Sequence, residues 1–139
     1  MNPKTLGRAV VAPLMLAAAG ALAASFDGTY TGTLSCPAFP KQPPLRVDIA
    51  VTVSGAMATY EQTAKPGTET DVGAQEAGNG SVSPSGEIVL NGGCRGGFSC
   101  VTEYRGDLSN MPIHLKGNQR WWFRSGERER ECEVQLTRR

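Results

Sequence analysis

Apolar and polar residues alternate with a period of two along much of this chain, a pattern typical of β-strands with one buried face. The clearest case is the segment 45–53, where five aliphatic residues alternate with polar or small residues. The segment 28–36 has the same period, with threonines on its predicted outer face. Ser54-Gly55-Ala56 predicts a tight turn, because glycine accepts the positive φ that a short hairpin loop requires. The segment 57–63 is then the second strand of that hairpin.

Weaker alternation continues to the C-terminus and predicts further short strands. These predicted strands are 81–83, 87–90, 100–108, 110–116 and 131–138. Glycine and asparagine predict two chain breaks among them, at Asn91-Gly92-Gly93 and at Gly117-Asn118. The segment 65–80 holds a single large aliphatic residue, Val72, and is predicted to be a long exposed loop.

Seven or eight short strands, and no segment with a helical period, predict an all-β protein. Turn signals recur about every 8–12 residues, as in antiparallel sandwiches and barrels. Short turns favour sequential hairpins and closure removes exposed edges, so we expect a small antiparallel meander barrel of about eight strands. A two-sheet β-sandwich is the alternative. In outline, the predicted strand order resembles that of calycin-type barrels such as lipocalins and avidins, without a motif specific to either family.

The four cysteines predict a covalent framework of two disulfides. Cys94 and Cys100 flank a short segment with two adjacent glycines, which makes a small ring sterically easy. Cys36 and Cys132 fall on the predicted inward faces of the first and last strands, which are neighbours in a closed meander. We therefore expect the pairs Cys36–Cys132 and Cys94–Cys100, among the three pairings that four cysteines allow. The cysteine spacing matches no zinc module, so neither a metal nor a cofactor is predicted.

The first 23 residues have the features of a signal peptide. Lys4 and Arg8 precede an alanine-rich apolar run over 9–24, which is shorter than the ~20 residues of a membrane-spanning helix. Ala21-Leu22-Ala23 matches the small-x-small pattern that precedes a cleavage site; an uncleaved anchor is the alternative. The predicted organisation is a signal peptide, 1–23, and a single β-barrel domain, 24–139. We expect export to the periplasm or the medium, without stable membrane insertion after processing.

The net charge argues against nucleic-acid binding, but the uneven distribution of charge along the chain has two interpretations. The formal net charge is +1, and it becomes −1 when the two cations of the predicted signal peptide are removed. This balance argues against a dedicated nucleic-acid-binding protein. The segment 91–139 carries nine cations and six acids, which either form a basic patch or neutralise the acidic half of the domain. If a basic patch forms, its arginines are Arg120, Arg124, Arg138 and Arg139.

The most informative cluster of residues is Arg120-Trp121-Trp122-Phe123-Arg124, which holds both tryptophans of the chain. In an extended segment, Trp121 and Phe123 face one side and Trp122 the other, so at least one large aromatic side chain should leave the core. An exposed tryptophan beside arginine suits stacking on a sugar or a base, or an anchor in a protein interface. We therefore predict these five residues as a ligand-binding site. The simpler interpretation is that one tryptophan fills the core and the other caps a barrel end.

Candidate catalytic groups are few. His114 is the only histidine, and its place between Ile113 and Leu115 predicts that it faces solvent. No Gly-x-Ser-x-Gly nucleophile accompanies it. Paired carboxylates are what glycoside hydrolysis requires, but a solvated strand has the same composition. The carboxylates in question are Glu127, Glu129, Glu131 and Glu133, and we predict no catalytic residue.

Together these features predict an exported, non-catalytic module that binds a small ligand or a cell-envelope partner through the barrel mouth and the Trp121–Phe123 cluster. Two alternatives remain open. One is a protein-interaction or inhibitor domain that presents the Cys94–Cys100 loop. The other is a small hydrolase that uses the glutamates or His114.

Overall fold

The computed structural model describes residues 25–38, 44–63, 76–94 and 100–139, in which eight antiparallel strands form one closed barrel. Each strand pairs with its neighbours in chain order, and β1 closes the barrel on β8. The strands are β1 (Gly28–Cys36), β2 (Leu45–Ser54), β3 (Met57–Thr63), β4 (Glu76–Val82), β5 (Glu87–Cys94), β6 (Cys100–Asp107), β7 (Ile113–Phe123) and β8 (Gly126–Arg138). This architecture confirms the predicted meander barrel and excludes the two-sheet sandwich.

Alternation of side chains between the two faces of each strand builds the core. In β2, Leu45, Ile49, Val51 and Val53 are buried, whereas the intervening Arg46, Asp48 and Thr52 are exposed. Burial of such aliphatic side chains is the main force that favours the closed form, and closure leaves no unpaired edge strand.

Large side chains fill the interior of the described barrel. Those almost completely excluded from solvent include Tyr30, Leu34, Ile49, Leu90, Tyr104 and Trp121. An eight-stranded barrel has an interior just wide enough for side chains to fill it, so these residues form a packed core. The surfaces that remain accessible to a ligand are therefore the outer face and the ends of the barrel.

Both predicted disulfides are confirmed, and both lie toward the same end of the barrel. Cys36 at the end of β1 bonds to Cys132 of the adjacent β8, and Cys94 at the end of β5 bonds to Cys100 at the start of β6. We call this the disulfide end. The Cys36–Cys132 bridge closes a loop that spans most of the barrel. In the chain-entropy model, a loop of this length stabilises the folded state by about 4–5 kcal/mol, because it restricts the unfolded chain.

The structure corrects four predicted strand boundaries. Residues 76–80 belong to β4 and not to the predicted loop, of which 65–75 lie outside the described residues. The break predicted at 91–93 is wrong, because β5 continues to Cys94. The turn predicted at 117–118 is also wrong, since β7 runs without interruption from Ile113 to Phe123. Finally, β8 begins at Gly126 and is five residues longer at its start than predicted.

Glycine inside these strands marks close packing and not a turn. A Cβ atom on Gly92 would meet the hydroxyl group of Tyr60, and one on Gly78 would meet the ring of the same tyrosine. A Cβ atom on Gly117 would meet the backbone carbonyl of Glu103 in the neighbouring strand. These positions require glycine for space, which is why the glycine signal predicted breaks where the strands continue.

Residues 1–24, which include the predicted signal peptide and its cleavage site, lie outside the described residues. In the part of the chain that the structure describes, no helix is long and apolar enough to cross a membrane.

Candidate functional site

The predicted aromatic cluster is divided between the two faces of β7. Trp121 points into the barrel with 1% of its surface exposed, whereas Trp122 points outward with 49% exposed. Arg120 shares the outer face with Trp122, and Arg124 is exposed in the turn between β7 and β8. The side chain of Phe123 lies outside the described part of the structure. Among the side chains of this cluster that the structure describes, Arg120 and Trp122 are therefore the two that lie together on the accessible face of β7.

A cluster of polar side chains occupies the barrel interior toward the disulfide end. We call it the interior polar cluster, and it consists of Tyr60, Gln62, Glu76, Thr102, Tyr104, Gln119 and Arg130. Glu76 is at its centre and has 1% of its surface exposed. Its carboxylate accepts hydrogen bonds from Tyr60 Oη at 2.6 Å, Gln119 Nε2 at 2.9 Å, Gln62 Nε2 at 3.1 Å and Tyr104 Oη at 3.1 Å.

The side-chain amide of Gln119 links this carboxylate to a buried guanidinium. While its Nε2 donates to Glu76, its Oε1 accepts from Arg130 Nε at 2.8 Å and from Trp121 Nε1 at 3.2 Å. Arg130 Nη1 also donates to the backbone carbonyl of Pro37 at 3.0 Å, just beyond the end of β1. A buried carboxylate and a buried guanidinium of opposite charge are thus joined through one amide, which offsets the cost of burying each.

Burial raises the pKa of the Tyr60 and Tyr104 hydroxyls, and the negative charge of Glu76 raises both further. The two rings meet edge to face, with centroids 6.1 Å apart. Tyr60 Oη also lies 2.7 Å from the hydroxyl of Thr102. Both phenols therefore stay protonated at neutral pH and serve as donors to the carboxylate.

The interior polar cluster was not predicted, although one signal for part of it was present. Gln62 lies in phase with the inward-facing Ala58 and Tyr60 of β3, and Gln119 lies in phase with Leu115 of β7. A polar residue at an inward position implies a buried partner, because an unsatisfied polar group in a core is costly. The hydrogen bonds of the interior polar cluster are made within the barrel, so this cluster supports the fold. Contacts with a ligand would be made by other surfaces.

A second set of polar side chains lies on the outer face and runs across the strands. The register places Asn79 opposite Asn91, Asn91 opposite Glu103, and Glu103 opposite Asn118. All four side chains are exposed, and we call them the outer polar row. Neighbouring strands lie about 4.8 Å apart, so the row extends for about 14 Å over β4–β7.

An open groove of about 420 Å³ lies beside this row and extends toward the disulfide end. Its lining includes the side chains of Asn91, Val101, Glu103, Asn118, Arg120 and Glu129. Val101, which pairs with Gly93 at the next register position, gives the groove a partly apolar floor. Trp122 follows Arg120 by two residues on the same outer face, so it lies about 7 Å farther along β7 than this lining residue and is not itself part of the lining.

The charges around the groove are largely compensated. Arg120 Nε lies 2.8 Å from Glu127 Oε1, and its Nη2 lies 3.7 Å from Glu129 Oε2. Arg105 Nε lies 2.7 Å from Glu103 Oε1, and this hydrogen bond lowers the pKa of the Glu103 carboxyl. The groove therefore presents carboxylates together with cations that already have partners.

The four arginines that could form a basic patch do not lie together. Arg120 and Arg124 lie toward the disulfide end, whereas Arg138 pairs opposite Tyr30 at the other end of the barrel. Arg138 Nη1 donates to the carbonyl of Ser25 at 3.3 Å, and Arg139 Nε donates to Thr31 Oγ1 at 3.2 Å. The C-terminal arginines thus donate to neutral acceptors within the fold, at the end of the barrel away from Arg120 and Arg124.

The candidate catalytic groups all lie on the outer face. His114 is exposed between the buried Ile113 and Leu115, as predicted, and pairs opposite Gln135 of β8. The glutamates of β8 are exposed, and Glu133 lies 3.8 Å from Lys116 Nζ. These positions suit a solvated strand, and no contact in the described residues favours the hydrolase alternative. The loop between Cys94 and Cys100, on which the inhibitor alternative depends, lies outside the described residues.

Among residues 25–38, 44–63, 76–94 and 100–139, no three His, Cys, Asp or Glu side chains are grouped to hold a metal ion. Comparison of the chain with models of protein families, with curated proteins and with solved structures gives no match. The geometry of the barrel is therefore the basis of the function proposed below.

Proposed function

We propose that this chain is an exported, non-catalytic binding module that takes its ligand on the outer face of β5–β8. Trp122 is the main contact, and the groove beside it supplies hydrogen-bonding groups. The ligand is a small molecule or an exposed part of a cell-envelope partner. Trp121 contributes indirectly, because its burial on the opposite face of β7 fixes the outward direction of Trp122.

The half-exposed indole of Trp122, next to a groove on a barrel whose core is packed, carries this proposal. Large aromatic side chains usually gain stability from burial, so an exposed tryptophan leaves that gain for a partner to supply. Val101, which is 47% exposed, adds a second apolar surface on the neighbouring strand. An aromatic anchor ringed by polar groups is the usual composition of a binding hot spot.

Export is supported by two observations. Both disulfides are consistent with an oxidising compartment, such as the periplasm or the extracellular medium. The N-terminal sequence has the charge and apolar pattern of a signal peptide. We accordingly propose that the working form is the domain 24–139.

A ligand screen with a matched pair of variants tests the proposal. Residues 24–139 are titrated with small sugars, nucleosides, amino acids and short peptides, and binding is followed by calorimetry. We expect affinity for any ligand found to fall about tenfold or more in Trp122→Ala. It should not change in Met111→Ala, which truncates an exposed apolar side chain at the opposite end of the barrel. Binding that is equally tight in Trp122→Ala, or no binding to any of these ligands or to longer oligosaccharides, would overturn the proposal.

A further inference from the structure

We infer that the ligand of this outer face is an uncharged, extended oligosaccharide. The ligand class rests on the proposed function and specifies it. Three properties of the described surface support it, namely the types of side chain, their charge, and the distance over which they are spread.

The side-chain types match the two surfaces of a sugar ring. A sugar has a face of C–H groups that packs on a flat aromatic side chain, and Trp122 offers such a face to solvent. The rim of the sugar ring carries hydroxyl groups, and each of these can both donate and accept hydrogen bonds. The amides of Asn91 and Asn118 also donate and accept, and the Glu103 carboxylate between them accepts.

The charge of the groove disfavours anionic ligands. A phosphate or another polyanion would meet the carboxylates of Glu103 and Glu129, while Arg120 is already held by Glu127 and Glu129. Cationic ligands are not selected strongly either, because Arg105 already pairs with Glu103. Three of the four residues in the outer polar row are amides, which suit neutral hydroxyl groups.

The spacing requires a ligand longer than one sugar ring. Trp122 lies four residues beyond Asn118 on β7, which is about 13 Å along the strand. Between them lie Val101 and Arg120, opposite each other on β6 and β7. A single ring cannot touch both the indole and the outer polar row, whereas an extended chain of several rings can. Affinity should therefore increase with chain length.

Calorimetry with defined saccharides tests this assignment on residues 24–139. The probes are cello-, chito-, xylo- and manno-oligosaccharides from one to six rings, with oligogalacturonate and an arginine-rich peptide as charged comparisons. We expect at least one uncharged series to bind, with affinity rising by about tenfold or more from the monosaccharide to the longest member. Trp122→Ala should weaken the longest member about tenfold, and Asn118→Ala several-fold. Gln135→Ala, an exposed amide elsewhere on the outer face, should leave it unchanged.

The other outcomes separate the ligand class from the proposed function. If the peptide or oligogalacturonate binds through Trp122 and no uncharged saccharide does, the saccharide assignment is wrong and the binding surface stands. If a saccharide binds equally well to Trp122→Ala and Asn118→Ala, the assignment to this face is wrong. If no probe here and no ligand in the wider screen depends on Trp122, both proposals fall.

Discussion

Two groups of polar residues, the interior polar cluster and the outer polar row, use similar side chains for opposite purposes. Both contain amides and a carboxylate held on neighbouring strands. Inside the barrel, the Glu76 carboxylate accepts four hydrogen bonds from other side chains. On the outer face, Asn91 and Asn118 point into water on either side of Glu103. Polar groups already satisfied by one another stabilise a fold, whereas polar groups exchanging with water are available to a ligand.

The largest difference between the two groups should be in the cost of removing a carboxylate. Glu76→Ala leaves two tyrosine hydroxyls and two amides without their acceptor, so we expect the free energy of unfolding to fall by about 3–5 kcal/mol. Glu103→Ala, the matched change in the outer polar row, should alter it by less than about 0.5 kcal/mol, because the pair of Glu103 with Arg105 is exposed. Urea unfolding of both variants measures this. A loss below about 1 kcal/mol for Glu76→Ala would show that the interior polar cluster does not support the fold.

Alkaline pH should act on the interior polar cluster. The pKa values of Tyr60 and Tyr104 are raised in the folded barrel, whereas an unfolded tyrosine ionises near pH 10. Their contribution to the free energy of unfolding is therefore complete below about pH 10. It is lost as the pH rises above that value, by about 1.4 kcal/mol per pH unit for each hydroxyl. Unfolding measured between pH 9 and about pH 11 tests this sign. The slope should be shallower in the Tyr60→Phe/Tyr104→Phe variant; an equal slope would assign the alkaline loss to other groups.

A smaller effect is expected from a methyl group placed against the interior polar cluster. In Gly92→Ala the added Cβ meets the hydroxyl of Tyr60, so we expect a loss of about 1–3 kcal/mol from overpacking. The adjacent Asn91→Ala removes a side chain of the outer polar row and should cost less than about 0.5 kcal/mol. Thermal unfolding of the two variants compares neighbouring positions on opposite faces of β5. Equal melting temperatures would contradict the packing of Tyr60 on Gly92.

Features of the fold that are set by residues close together in the chain could be predicted from the sequence. Features that are set by the pairing of distant strands could not. The period of two in β1 and β2 predicted their faces, and it also placed Cys36 and Cys132 on adjacent strands. Glu76 was assigned to a loop, because the glycines that follow it in β4 conceal the alternation and a carboxylate predicts exposure. Its partners come from β3, β6 and β7, and their meeting depends on the register of the closed barrel.

The candidate site also combines a feature that is local in the chain with one that depends on strand pairing. Local alternation predicted that Trp121 and Trp122 would face opposite sides of a strand, and they do. It did not predict that Asn91, Glu103 and Asn118 would stand side by side, since these residues are far apart in the chain and only strand pairing aligns them. The buried face of a strand and its turns fix the register once the partner strand is known, but a single strand does not reveal which distant residues it will face.

The smallest effect on stability is expected from the ion pairs that border the groove. Arg120→Ala removes pairs with Glu127 and Glu129 whose side chains are about half exposed, so the free energy of unfolding should change by less than about 1 kcal/mol. The difference from wild type should shrink further in high salt, because exposed pairs are screened. Urea unfolding at low and high salt measures both. A large, salt-independent loss would place Arg120 among the structural groups and not on the binding face.

The two tryptophans provide the most direct test, since one reports on each region. Their indole N–H signals are followed by NMR during titration with the longest bound saccharide and, separately, in Glu76→Gln. We predict that the ligand shifts the Trp122 signal and leaves Trp121 in place, and that Glu76→Gln shifts Trp121, whose indole donates to Gln119, and leaves Trp122 in place. A ligand that shifts Trp121 and leaves Trp122 unmoved would contradict the division between a structural interior and a binding outer face.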